Sequence, residues 1–424
     1  MAKTASRGRA PAGTPARVSG LSTSQNIAKL ALETGAVFEG ESIGADGTSE
    51  GEVVFNTSLS GYQEIFTDPS YNGQMVLMTN PLIGNYGINA DDEESFRPHV
   101  RGVIVRELSR HPSNFRSESS LGAYLKKYNV VGIAGIDTRA VTKLLRISGS
   151  LKGVIATGER GDAELDDSRL TDRARSWKGL GGVDMVAEVS CDKVHRWVKG
   201  FTTEFSPGFK ANGTGGAAKV KPPGHGLRIA AFDYGIKHNI LRILHEMGFD
   251  VSVLPATATA DEARALKPDG IFLSNGPGDP EGLPYAVKTV RSLLGEYPTF
   301  GICLGHQLTA LALGGKTYKL KFGHHGGNHP VKNLQTGKVE ISVQNHCYAV
   351  EPASLPKEMQ PLFLNLNDQS NEGLVHTKLP IFTVQFHPEA SPGPNDFTFL
   401  FDQFARIVRE RRPLSSAIGT REGR

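Results

Sequence analysis

The chain has 424 residues, with 47 basic and 44 acidic side chains and a formal net charge of +3. That balance argues against a nucleic-acid partner, which needs a concentrated basic face. Hydrophobic residues at 38% and charged residues at 21% fit a globular protein with ample core material, and at about 100–200 residues per domain the length suggests two to four domains. Three cysteines, Cys191, Cys303 and Cys347, give no disulfide framework and fit a reducing compartment. No apolar run approaches the roughly 18 residues that a membrane-spanning helix needs.

In chain order, the first stretch is "MAKTASRGRAPAGTPARVSG", with four basic side chains and no acidic one. It lacks the apolar core of a secretory signal and reads as a disordered basic tail over residues 1–20. An organelle transit peptide is the alternative, so the expected location is cytoplasmic, or an organelle if that stretch directs import. Residues 21–205 read as a mixed α/β domain. "GEVVFNTSL" and "GQMVLMTNP" are strands bounded by turns. "DTRAVTKLLRIS" is a helix with Asp137 as N-cap and Val141, Leu144 and Leu145 on one face. "ERGDAELDDSRLTDRARSW" mixes both signs of charge, as a solvated helix face does. Residues 206–226, "SPGFKANGTGGAAKVKPPGHG", hold six glycines and three prolines and read as a linker.

Residues 227–411 alternate strand and helix. "LRIAAFDYG", "FDVSVLPA", "DGIFLSN" and "PTFGIC" are strands; "IKHNILRILHEMG", "ADEARALKP", "GLPYAVKTVRSLLGEY" and "LGHQLTALALGG" are helices. This pattern predicts a doubly wound, largely parallel sheet covered on both faces. After Gly315 the chain turns more β-like, with "KVEISVQNH" and "PIFTVQFHP". Residues 412–424 read as a loose polar tail.

The chemistry centres on "FGICLGHQL", residues 300–308. A strand stops and a helix starts at once, so Cys303 occupies a sharp turn at the carboxyl edge of the sheet, where ligands bind in open α/β folds. Free N–H groups and the helix dipole favour a thiolate there. Gly301 and Gly305 permit a tight bend, as in a G-x-S-x-G nucleophile elbow. By spacing alone a nucleophile and a buried structural thiol are both open. A nucleophile needs a base and the base an orienter. His387 ends the strand "IFTVQFHPE", and Glu389, two residues on, points to the same side in extended geometry. The loop "SNGPGDP" ends another strand. It is either a tight turn or, through Gly276 and Gly278, a set of exposed amides that hold an oxyanion together with the amide of Leu304.

Two features are set aside. "LALGGKT" resembles a phosphate loop, but Ala310 stands where glycine is required. "FGHHGGNHP" carries His324, His325 and His329 without a zinc spacing, and reads as a loop packed near the site with no metal.

"GICLGHQ" with "HPE" 84 residues later resembles the class I (triad) glutamine amidotransferases, as does "SNGPGDP". "KFGHHGGNHPV" and "VQNHCYAV", with "GEVVFNTSLSGYQEIFTDPSYNGQMV" and "GIDTRAVTKLLR" in the first domain, are similar to the small, glutamine-hydrolysing chains of carbamoyl phosphate synthetase. The resemblance runs from about residue 30 to 408. It implies that Cys303 attacks the glutamine carboxamide to form a glutamyl thioester, that His387 moves the proton, and that Glu389 orients His387. It implies an oxyanion hole at Gly278 and Leu304, and a glutamine pocket of Ser70, Gly276, Gly278, Leu304, Gln307, Asn345, Cys347 and Tyr348. The family has Gly then Phe after "QNH", where Cys347 and Tyr348 stand here. The resemblance further implies a large synthetase partner that carries ATP and Mg²⁺ and makes carbamoyl phosphate for arginine or pyrimidine synthesis, with no cofactor in this chain. An amidotransferase of another synthetase and a catalytically silent scaffold subunit are the alternatives.

Overall fold

The computed structural model describes residues 26–201 and 221–414. The basic stretch 1–20, most of the glycine-rich stretch 206–226 and most of the stretch after 412 lie outside the described residues.

The first domain is a closed barrel. Its strands run, in spatial order, Asn26–Leu32, Val37–Ser42, Val131–Ala134, Gly102–Ile104, Gln74–Met78, Thr48–Asn56 and Leu151–Glu159, which returns to the first. The pairing is mixed: Thr48–Asn56 runs parallel to Gln74–Met78 and antiparallel to Leu151–Glu159. Closure leaves no edge, and the interior fills with Leu30, Val53, Met75, Leu77, Ile104 and Ile155, all buried. The helix expected from "DTRAVTKLLRIS" spans Thr138–Ser148. Asp137 caps it by accepting from Ala140 N at 3.0 Å, and Val141 and Leu145 are buried with Leu144 packed beside them. The mixed-charge stretch forms the helix Asp167–Ser176, whose Leu170 and Ala174 cover the barrel.

The second domain is built on a ten-stranded sheet. At its centre Asp250–Pro255, Arg228–Asp233, Gly270–Leu273, Thr299–Ile302 and Ile381–Val384 lie parallel in that order. Helices His238–Glu246 and Phe399–Glu410 cover one face; Ala260–Ala265, Pro284–Leu293 and Leu304–Ala312 cover the other. Strands Asn371–His376, Met359–Asn365, Lys316–Asn333 and Val339–Glu351 extend the sheet in antiparallel fashion. The opposite edge is His195–Trp197, which pairs with Asp250–Pro255, so the second sheet draws in residues that precede the glycine-rich stretch.

"FGHHGGNHP" is not a loop. It lies inside the strand Lys316–Asn333 and pairs with Val339–Glu351 across two register shifts. Glycine discourages a strand reading, but Gly326 sits at φ 146° beside the second shift. This arm reaches the barrel, where the Gly149 backbone and Ser150 meet Lys321: Ser150 N donates to Lys321 O at 2.9 Å.

Candidate active site

Cys303 stands between Thr299–Ile302 and Leu304–Ala312 with φ 53° and ψ −104°. That left-handed strain in a non-glycine residue is held by the packing on either side. A Cβ on Gly305 would meet Leu273 O at 2.2 Å, and one on Gly301 would meet Gly305 O at 2.8 Å. The helix can enter this close to the sheet only because both positions are glycine. Gly305 N donates to Ser274 O at 2.9 Å, and Cys303 N to Val384 O at 2.8 Å. Cys303 is 2% exposed.

His387 and Glu389 come together, by a route other than an extended strand. The strand ends at Val384. Pro388 and Glu389 form a turn closed by Ala390 N donating to His387 O at 3.2 Å. Through that turn His387 Nδ1 donates to Glu389 Oε1 at 2.7 Å, both side chains buried. Burial alone would push His387 down. The Glu389 carboxylate and Cys303 outweigh it and hold the imidazole up at about 10. Glu389 is held down at about 2 against burial, first by Lys237 and then by His387. His387 Nε2 is buried with no hydrogen-bond partner among the described residues, while the Cys303 thiol donates to Asn345 O at 3.6 Å. Cys303 is nonetheless near enough to His387 to help hold its imidazole up, so nucleophile and base are already neighbours; apo geometry at such a pair is often loose and tightens with substrate.

Lys237 was not legible as a site residue. It is 1% exposed, its Nζ lies 3.0 Å from Glu389 Oε1, and it donates to Ala390 O at 2.5 Å. Asn239 Nδ2 donates to Glu389 O at 2.5 Å. Two residues ahead of and within the helix His238–Glu246 thus grip the His387–Glu389 turn. In the sequence Lys237 looks like an ordinary basic residue in the first turn of the helix "IKHNILRILHEMG".

A cleft of about 410 Å³, open mouth included, lies between the two domains. Cys303 lines it, and so do Ser70, Gly276, Gly278, Gln307, Asn345, Cys347 and Tyr348. Leu304, buried at the helix start, stands behind the wall. Gly278 takes φ 88°, and a Cβ on Gly276 would meet Tyr234 O at 2.1 Å, so that loop needs both glycines. Gln307 Nε2 donates to Tyr348 O at 2.9 Å and to Gln385 at 3.1 Å, which ties the helix to the opposite wall. His387 faces a second cleft of about 260 Å³, and Asn345 lines both.

The barrel supplies part of the wall. Ser70 lies on the turn Pro69–Tyr71, and its Oγ accepts from Asn275 Nδ2 at 2.9 Å. Asp68 accepts from Asn345 Nδ2 at 2.8 Å. Glu52, Gln74 and Leu180 also line the cleft, as do His325 and His346. Cys347 points at the barrel: Gln74 Nε2 donates to its sulfur at 3.2 Å, and the sulfur lies 3.6 Å from His325 Nε2. Burial pushes the Cys347 thiol far up, and pushes Cys191 up to about 12, so neither is a thiolate at neutral pH.

His324, His346 and Glu372 bring ligand atoms within 4.8 Å of one another. Those atoms already have partners. His324 Nε2 meets Asp368 at 2.8 Å, His346 is held by Tyr348 O and Gln344, and Glu372 accepts from Asn365 and Gln344 at 2.9 Å each.

A family model of class-I glutamine amidotransferases matches residues 230–407, and one of the carbamoyl-phosphate synthase small chain, CPSase domain, matches residues 30–155. The chain is 50% identical over 385 residues to the chloroplastic carbamoyl phosphate synthase small chain of Oryza sativa subsp. japonica, covering 91% of this chain and 83% of that one. It is 51% identical over 383 residues to the carbamoyl phosphate synthase small chain of Syntrophotalea carbinolica, covering 90% and 98%. For the carbamoyl phosphate synthase small chain of Yersinia pestis the identity is 48% over 392 residues, covering 92% and 97%.

Proposed function

Because the chain belongs to the family of carbamoyl phosphate synthase small chains, the glutamine-hydrolysing subunits of that enzyme, we propose that Cys303, His387 and Glu389 carry the glutamine hydrolysis. In the Cys303–His387 pair the shared proton sits on His387, whose imidazole is held up at about 10, and the Cys303 sulfur attacks the carboxamide carbon of L-glutamine. The amides of Gly278 and Leu304 receive the oxyanion. Collapse expels ammonia, which leaves with the proton from His387, and a glutamyl thioester remains. Water activated by His387 then releases glutamate. Glu389 keeps the imidazolium oriented and charge-balanced, and Lys237 keeps Glu389 ionised inside the protein.

The observation that carries this reading is the strained turn at Cys303 (φ 53°) in the same buried site as the His387–Glu389–Lys237 chain. The ammonia goes to a large synthetase chain, which uses ATP, Mg²⁺ and bicarbonate to make carbamoyl phosphate for arginine or pyrimidine synthesis. This chain contributes no cofactor. No helix among the described residues is long and apolar enough to cross a membrane. From the cysteine usage we place the complex in the cytoplasm, or in an organelle if residues 1–20 direct import.

The test is Cys303→Ser in the reconstituted two-chain complex. Glutamine-driven carbamoyl phosphate synthesis should fall by at least about 1,000-fold while ammonia-driven synthesis persists. Glutamine-driven turnover that survives the substitution removes Cys303 from its role.

A further inference from the structure

One charged group in the cleft takes no part in the chemistry above. Glu52 lies on the barrel strand Thr48–Asn56, is 6% exposed, and is the only carboxylate on the cleft wall among the described residues. Its two oxygens are used unequally. Oε1 accepts from Ser150 Oγ at 2.8 Å and from Lys319 Nζ. Oε2 is reached only by long contacts, from Gln74 Nε2 at 3.4 Å and Cys347 Sγ at 3.9 Å. Both of those side chains line the cleft, so the oxygen with spare acceptor capacity is the one beside it. Nothing else on the wall supplies a fixed negative charge there: His325 and His346 are kept neutral by burial, and Cys347 is a thiol.

Cys303 and Glu52 come from different domains and line the same cleft. The Cys303 thiol meets the backbone carbonyl of Asn345, and Glu52 meets the side chain of Cys347, two residues along the same strand Val339–Glu351. A substrate whose carboxamide is at Cys303 can therefore turn its other end to the barrel wall that carries Glu52. A desolvated carboxylate with one free oxygen suits an ammonium group, since charge-assisted hydrogen bonds are the strong ones.

We propose that Glu52 binds the α-ammonium group of the substrate and is the residue by which the cleft selects an α-amino acid amide over a simple amide. Lys319 stays on Oε1 and balances the carboxylate when the cleft is empty. The proposal rests on the glutaminase reading and assigns it a recognition group contributed by the barrel domain.

The two-chain complex is assayed with L-glutamine and with glutaramate, the same amide without the α-amino group. Wild type should lose about 30-fold in kcat/KM on glutaramate. E52Q should raise the KM for glutamine about 30-fold with little change in kcat, and leave glutaramate unchanged, so that discrimination collapses. E52D, which keeps the charge, should restore part of it. K319M, which breaks the same interdomain ion pair without touching the carboxylate, should keep the discrimination. Equal loss on both amides in E52Q, or collapse in K319M, overturns the proposal in favour of a structural role. A glutamine-active wild type that does not distinguish the two amides overturns it alone, with no variant needed. A wild-type complex that uses ammonia but not glutamine overturns the glutaminase reading and takes this proposal with it.

Discussion

The two sides of the cleft are built differently. On the Cys303 side the geometry is local: a strand, a strained residue and a helix within about a dozen positions, fixed by glycines that let backbone touch backbone. On the facing side, Glu52, Ser70 and Gln74 come from another domain, more than 200 residues earlier, and take their places through side-chain bonds to Lys319, Asn275 and Cys347. A local turn tolerates little and sets the reacting geometry; a contact between domains sets what is held against it. Variants on the two sides should therefore separate kcat from KM.

Among variants that spare Cys303, His387 and Glu389, the largest effect is expected at Lys237. Lys237→Met leaves Glu389 buried with His387 as its one charged partner, and breaking a buried pair costs about 3 kcal/mol. kcat for glutamine should fall about 100-fold with KM little changed, and chemical denaturation should show the lost stability. A raised KM with intact kcat would move Lys237 to the recognition side and break the division.

Next is Ser70→Ala, on the barrel side. Losing one neutral hydrogen bond to Asn275 should raise the KM for glutamine about 5-fold and leave kcat within a factor of about 2. A drop in kcat alone would show that the barrel also tunes the chemistry.

The smallest effect concerns the β arm that joins the two sides. Burial by itself would lower His324, but Asp368 and Glu372 hold it up at about 9. Its folded pKa lies above the unfolded value of about 6.5, so the folded state binds the extra proton between these values. That stabilisation is complete below about pH 6.5 and is lost as pH rises through 9. His325, on the next position, is pushed down by burial to about 4, so it opposes folding as pH falls below about 6.5. The melting temperature should peak near neutral pH. His324→Gln should flatten the alkaline limb by a few degrees, and should shift the acid limb as well, because the His324 charge helps hold His325 and Asp368 down. An unchanged alkaline limb would show that His387, held up at about 10, accounts for it instead.

The turn at Cys303 was legible because its cause is local: Gly301 and Gly305 flank it, and a strand meets a helix. His387 and Glu389 were legible as a pair, but for another reason than an extended strand, since the bond runs through the turn at Pro388. Lys237 and Glu52 were not legible. Each stands where a solvated charge is ordinary, one in the first turn of a predicted helix and the other near the start of a strand, and only contacts across the fold bury them. Barrel closure escaped for the same reason, because the contacts that join Asn26–Leu32 to Leu151–Glu159 lie far apart in sequence. "FGHHGGNHP" was misread because glycine argues against a strand when nothing shows that the partner strand tolerates a bulge.

The most direct measurement is covalent trapping. The chain, alone and with its large-chain partner, is treated with 6-diazo-5-oxo-L-norleucine, an electrophilic mimic of glutamine, and the adduct is mapped by peptide mass spectrometry. One adduct is expected, on Cys303, with labelling slowed by excess glutamine. Modification of Cys347 or Cys191 instead, or labelling of Cys303 that glutamine does not slow, would contradict a nucleophile poised in a glutamine-filled cleft.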